Sequence, residues 1–278
     1  MIRKLWLENE NEEVYSFNDV NTCFASNLSG LGFSKVNSYF EYATTFVTAT
    51  SKEPMTKIQM MLTFMQGYIS YADFLKYLSK SKELKLYYQN DSDTKYVLVD
   101  VERIDKTEKV TETTLNCPIV FNKKTMWMKK FKVSLTDKTD AQHKTYEYRY
   151  DYKYATEIDG TLYVNNRGSV AAPLNYSIQG SVNNPVVQIL VNDKVVSESK
   201  INITYENATL EVIAEEGKES MTVTLSTGEV KNVYQNQDFT KEGFLFIPPG
   251  EASVKINPGS VSSTHVFNLT FHELYRGN

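Results

Sequence analysis

The chain has 278 residues and a formal net charge of -4. This length is enough for two ordinary domains, and the acidic balance argues against a general nucleic-acid binder, which would carry a basic patch. No apolar run approaches the roughly eighteen residues of a membrane span, so we expect no membrane contact. The first residues also lack the apolar core of a signal peptide, which predicts synthesis in a cytoplasm.

Two extended runs dominate the first quarter of the chain, after short predicted strands at residues 2–7 and 14–17. These runs cover residues 38–49 and 55–65, and the polar segment 50–54 separates them. Ile58, Met60 and Leu62 alternate with polar residues in the second run, as on a strand with one buried face. We predict one long β-hairpin with its tip near residues 51–54, overhanging its own core. An ordinary hairpin inside a sheet is the alternative.

One helix follows, because Ser70 is a suitable N-cap and Asp73 stands three residues later. Tyr71, Phe74 and Leu78 then form an apolar stripe at helical spacing. Lysines near residue 80 suit the negative end of the helix dipole. Further strands are predicted at residues 84–88, 96–104 and 114–121. The helix is expected to pack one face on a sheet.

The second half has its own strand pattern, and a polar stretch around residues 136–140 precedes it. We therefore predict an N-terminal domain at 1–133 and a C-terminal domain at 134–278. Apolar and polar residues alternate near 187–191, 222–226 and 267–272, as on half-buried antiparallel strands. Asn192 and Asp193 have the form of a two-residue hairpin turn. Strands at this spacing predict a β-sandwich.

Residues that would carry catalysis are scarce. The three histidines have no metal-ligand spacing with one another or with a cysteine, and neither a phosphate loop nor a nucleophile elbow occurs. We expect no enzyme activity, no cofactor and no metal. A sugar-binding sandwich is the more serious alternative, although Trp6 and Trp127 both fall in the first domain. A β-rich hydrolase, for example through Cys23 and His143, is the third possibility.

The order of several short motifs is similar to that of a known family. The motifs are Gly30-Leu31-Gly32-Phe33, Leu84-Lys85-Leu86-Tyr87-Tyr88, Leu115-Asn116-Cys117-Pro118-Ile119 and Phe246-Ile247-Pro248-Pro249-Gly250. Together they resemble the distal tail proteins of siphophages that infect Gram-positive bacteria. The resemblance covers essentially the whole chain and rests on the order of motifs that are individually weak.

The resemblance implies a structural protein of the virion. Such proteins form a homo-hexameric ring that joins the tail-tube protein to the tail-associated baseplate protein, and DNA only passes through its channel. A tail-tube-like N-terminal β-sandwich with one α-helix would make the ring. A galectin-like C-terminal β-sandwich would anchor receptor-binding or peripheral baseplate proteins. The alternative is a carbohydrate-binding host-adhesion protein of the same architecture.

The overhanging hairpin is the expected intersubunit arm, since main-chain pairing with a neighbour would satisfy its exposed edges. The residues that we expect to carry this contact are Phe46, Val47, Ser51, Lys52, Glu53, Pro54 and Ile58.

Overall fold

The structure of the protein, a computed structural model, describes residues 3–91, 93–108, 113–136, 160–260 and 265–277. It is mainly β with one α-helix, as predicted. The chain divides into two compact units, Met1–Lys129 with Tyr275–Asn278, and Lys130–Leu274. This division falls four residues before the boundary predicted from the polar stretch. Nothing in the sequence pattern indicated that the chain returns to the first unit at its end.

Antiparallel strands build the first unit around one core. Its strands are β1 (Lys4–Asn9), β2 (Val14–Ser16), β3 (Asn18–Asp19), β4 (Cys23–Ser29), β5 (Val36–Tyr42), β6 (Thr45–Lys52), β7 (Lys57–Phe64), β8 (Leu84–Asn90), β9 (Asp93–Ile104), β10 (Leu115–Lys123) and the start of β11 (Trp127–Thr136). Apart from β5, β6 and β11, they follow the order β2-β1-β8-β9-β10-β7-β4-β3. Because β2 and β3 belong to one short segment, the sheet returns to its starting strand and encloses the core.

The helix α1 (Tyr68–Lys80) covers one opening of this core with its Phe74 side chain, which is fully buried. It begins two residues before the predicted N-cap, so the capping box at Ser70 is wrong. Gly67 takes the cap position with a φ of 58°, where a residue without Cβ is favoured. Ser70 is consequently buried in the first turn.

The second unit consists of two antiparallel sheets. Its further strands are β12 (Thr161–Asn166), β13 (Ala172–Asn183), β14 (Val186–Val191), β15 (Lys194–Lys200), β16 (Thr204–Ile213), β17 (Ser220–Thr224), β18 (Val230–Asn232), β19 (Phe246–Ile247), β20 (Gly250–Asn257) and β21 (Val266–Tyr275), with a 3₁₀ turn at Tyr234–Asn236. One sheet has the order β18-β17-β16-β13-β21-β11, and the other β12-β20-β14-β15.

One apolar cluster joins the inner faces of these two sheets, which makes the unit a β-sandwich. Leu174 and Phe271 contribute from the first sheet, Ile189 and Val254 from the second, and all four are fully buried. The predicted turn at Asn192 and Asp193 is confirmed, because Val191 pairs with Lys194 and both turn residues have positive φ, at 50° and 61°. In the part of the chain that the structure describes, no helix is long and apolar enough to span a membrane.

Candidate assembly interface

The most exposed element of the first unit is a β-hairpin, but its strands differ from those predicted. β5 pairs with β6, Val36 opposite Lys52 and Tyr42 opposite Thr45, so the run predicted as one strand is itself the hairpin. The second predicted run is β7, which pairs with β4 and β10 in the enclosed sheet. The predicted pairing of 38–49 with 55–65 is therefore wrong. We call the hairpin of β5 and β6, Val36–Lys52, the arm.

The arm forms a two-stranded sheet of its own, and every residue of both strands is exposed. Its tip turns at Ala43, whose φ is 51°. This left-handed conformation is uncommon for alanine and has no signature in the sequence. The prediction placed the tip at 51–54 because that segment contains proline and charged residues, while the actual tip contains neither.

Large apolar side chains crowd the outer half of the arm. The exposed fractions are 54% for Tyr39, 69% for Phe40, 74% for Tyr42, 72% for Phe46 and 54% for Val47. The arm holds its shape through one ladder of main-chain pairing and a few side-chain hydrogen bonds, such as Ser38 Oγ to Thr50 Oγ1 at 2.6 Å. Isolated two-stranded hairpins are at best marginally stable in water, so a partner surface that covered the arm would stabilise it.

The base of the arm is held by the end of the chain, which belongs to the same unit. Arg276 Nε lies 2.8 Å from Glu53 Oε1, and the guanidinium carbon lies 5.7 Å from the centre of the Phe33 ring. Both partners of this ion pair are partly exposed, so its contribution to stability is small, at most about 1 kcal/mol. Its effect is to orient the segment that leaves β6.

The structure brings most of the predicted site residues together. Phe46, Val47, Ser51 and Lys52 lie on β6; Glu53 and Pro54 follow directly and are exposed.

Ile58 does not belong to this group. It lies on β7, is fully buried in the core of the first unit, and pairs with Phe121 of β10. The sequence reasoning missed the three rings on β5, Tyr39, Phe40 and Tyr42. Phe40 sits opposite Val47, and the two tyrosines face the residues on either side of Phe46 and Val47, so a hairpin turn near residue 43 would have revealed all three.

Groups with catalytic potential serve structural roles among the described residues. Burial raises the pKa of the Cys23 thiol to about 12, which holds it protonated. His265 is buried with its Nε2 2.8 Å from the Ser181 carbonyl oxygen. His272 Nδ1 lies 3.2 Å from Glu215 Oε1. No group of three metal-ligating side chains occurs among the described residues, and His143 lies outside them.

A shallow polar groove lies on the second unit, and its lining bears on the sugar-binding alternative. Asn175, Ser177 and Asn268 line it, and they already bind neighbouring side chains: Asn268 donates to Ser177 at 3.2 Å and Asn175 to Glu215 at 2.9 Å. The one aromatic residue in the lining, Tyr176, has its side chain in the core. The groove thus offers no ring on which a pyranose could stack.

The fold therefore defines a two-unit β protein whose most conspicuous feature is an unpartnered arm, which is the build of an assembly protein. In a comparison with family models, residues 4–124 match the N-terminal domain of distal tail proteins. The first unit thus carries this domain, and the resemblance noted in the sequence is confirmed over these residues. Comparison with curated proteins gave no match.

Solved structures with the same fold come from phage tails. A chain of the phage P2 baseplate in its activated conformation with Ca has a TM-score of 0.64 at 16% identity, over 97% of this chain and 98% of that one. The Dit protein (gp 19.1) of phage SPP1, described as a paradigm of hub adsorption apparatus in phages infecting Gram-positive bacteria, has a TM-score of 0.64 at 10% identity, over 97% and 99%. The likeness extends over both units.

Proposed function

We propose that six copies of this chain form a closed ring at the tip of a phage tail, where the ring is the hub between the tail-tube protein and the tail-associated baseplate protein. The distal tail protein domain in the first unit and the likeness to baseplate and hub structures support a place in the virion. The single observation that carries the hexameric ring is the arm. It is a hairpin that is exposed on both strands and rich in aromatic side chains.

The arm meets the geometric demand of a ring. A closed ring of identical subunits needs two different patches on each subunit, one fitting the other on the next copy. An arm that reaches out of its own unit supplies the first patch, and the neighbouring copy supplies the second. Covering the aromatic side chains and pairing the free strand edges stabilises the arm. Alone, such a hairpin is only marginally stable and prone to aggregation.

The second unit has the peripheral role in this proposal. Its sandwich has a core of its own, so it can carry receptor-binding or peripheral baseplate proteins without disturbing the ring. A galectin-like arrangement of its sheets is part of the proposal. The protein is made in the cytoplasm of the bacterial host, and DNA crosses the ring without being held, in keeping with the net charge of -4.

Removal of the arm tests the ring directly. Val36 and Lys52 are paired, so their Cα atoms lie about 5 Å apart, and a Gly-Ser-Gly linker can replace the residues between them. We expect hexamers of the wild-type chain and monomers of the deletion variant when mass photometry and size-exclusion chromatography with light scattering are run on both. The circular dichroism spectrum and melting temperature should stay close to the wild-type values.

A matched control shortens another exposed turn, Asn192-Asp193, which lies in the second unit. Hexamers that persist without the arm would contradict the proposed role of the arm. Monomeric wild-type chain that binds cell-wall saccharides on a glycan array, and is absent from the tail tip in electron micrographs of virions, would instead favour the host-adhesion alternative.

A further inference from the structure

The two faces of the arm carry different side chains. Directly paired residues of an antiparallel ladder point to the same face, and successive residues point to opposite faces. Phe40 pairs with Val47, and Tyr42 with Thr45, which defines the uncharged face over the outer half of the arm, residues 39–48; Lys52, which pairs with Val36, lies on the same side only at the base of the arm. The other face takes Tyr39 opposite Thr48 and Glu41 opposite Phe46, and we call it the acidic face.

Both faces are exposed to a similar extent. Phe40 and Tyr42 on the uncharged face are 69% and 74% exposed, while Tyr39 and Phe46 on the acidic face are 54% and 72% exposed. A hairpin lying on a single surface covers only one of its faces and leaves the rings of the other in water. Since burying an exposed aromatic side chain is favourable, the arm is suited to lie between two surfaces.

The chemistry of the faces indicates which surface covers which. Interfaces between permanent copies of one chain are the more apolar and exclude charge from their centre. Interfaces between separately folded partners carry charges that steer encounter and fix register. The uncharged face fits the first description. Glu41 stands in the middle of the acidic face, and is the one carboxylate between Val36 and Lys52.

We propose that the uncharged face packs against the neighbouring copy, while the acidic face docks a different protein of the tail. That partner presents an apolar surface with a lysine or arginine placed opposite Glu41. This division of labour rests on the proposed ring and adds to it: the arm closes the ring with one face and recruits the next tail component with the other. Both contacts then form on one exposed element, so recruitment depends on the ring being closed.

Two sets of face-specific variants test this division. The uncharged-face variant is Tyr42→Ser with Val47→Ser, and the acidic-face variants are Phe46→Ser and Glu41→Lys. All of these residues are exposed, so each variant should fold, which a circular dichroism melt verifies. Mass photometry measures ring formation by the purified chain. Immunoblots and electron microscopy of virions from cells that supply each variant to a phage lacking its own copy measure incorporation into tails.

We expect the uncharged-face variant to lose hexamers at least tenfold in midpoint concentration and to be missing from virions. The acidic-face variants should keep wild-type hexamers but enter virions at least tenfold less, with Glu41→Lys more severe than Glu41→Gln. Loss of hexamers to equal degree in both sets, or acidic-face variants that enter virions at the wild-type level, would overturn the division. A wild-type chain that stays monomeric would instead overturn the ring proposal itself, so the two failures are distinguishable.

Discussion

Replacing Phe40 with serine isolates the free energy that one aromatic side chain of the arm contributes to assembly. A phenylalanine side chain offers on the order of 200 Å² of surface, and Phe40 is 69% exposed, so roughly 140 Å² is left for a partner to cover. At about 25 cal/mol per Å² this amounts to ~3.5 kcal/mol for each arm contact. Serine recovers almost none of it. We therefore expect the contact between neighbouring copies to weaken about 300-fold.

Folding of the isolated chain should be little affected, since Phe40 is 69% exposed in its own unit. Mass photometry over a dilution series gives the midpoint concentration of hexamer dissociation, and urea denaturation gives the free energy of unfolding. The matched control is Phe239→Ser, because Phe239 is 70% exposed and lies in the second unit. The control should leave both quantities at their wild-type values.

Equal shifts of hexamer dissociation by Phe40→Ser and Phe239→Ser would refute a specific role of Phe40, because exposed area alone would then explain the effect. A second refuting result is a loss of more than about 1 kcal/mol in the free energy of unfolding of Phe40→Ser. Such a loss would mean that Phe40 is covered within its own chain and is unavailable to a neighbour.

Three further predictions concern the units themselves. Ile58→Ala should lower the free energy of unfolding by about 2–5 kcal/mol in urea, because Ile58 is fully buried. Gly30→Ala should lower the free energy of unfolding by at least about 2 kcal/mol and thereby the melting temperature, since Gly30 has a φ of 84° and an added Cβ would meet a backbone carbonyl. Gly32→Ala is the neutral control, because the space around Gly32 is open. The His272 contact holds the pKa of Glu215 at about 2, below its usual 4.5. The resulting stability is complete above pH 4.5 and is lost as the pH falls to 2, so the gap in unfolding free energy between wild type and Glu215→Gln should be about 2 kcal/mol at pH 5.5 and should close by pH 2.

Strands were predictable from the sequence wherever one face is buried and the other is exposed to solvent. β14 and β21 show this alternation directly, with burial patterns that change at every residue over most of their lengths. The turn between β14 and β15 was equally visible, because Asn and Asp tolerate positive φ. These signals are local, and a single sequence contains them in full.

Strand pairing was less accessible, and the arm shows why. Ile58 to Phe64 was correctly recognised as a strand, but its partners β4 and β10 are tens of residues away, and alternation does not say which strands are neighbours. The true tip at Ala43 lacks glycine, proline and asparagine, while the polar segment with Pro54 resembles a turn. The predicted arm residues therefore lie on or directly after β6, except Ile58, whose strand was paired with the wrong partner.

The arm combines a free tip with a fixed base, and this combination affects the free energy that docking on a partner can release. An entirely flexible hairpin would lose conformational freedom on docking, which offsets part of the energy gained by covering its rings. Here Glu53 is held by Arg276, which also lies against Phe33, so the direction of the arm is set before a partner arrives. The ion pair is worth little as stability, yet it reduces the ordering cost of each contact. Because a ring repeats that contact at every subunit, even a modest reduction accumulates over the whole assembly.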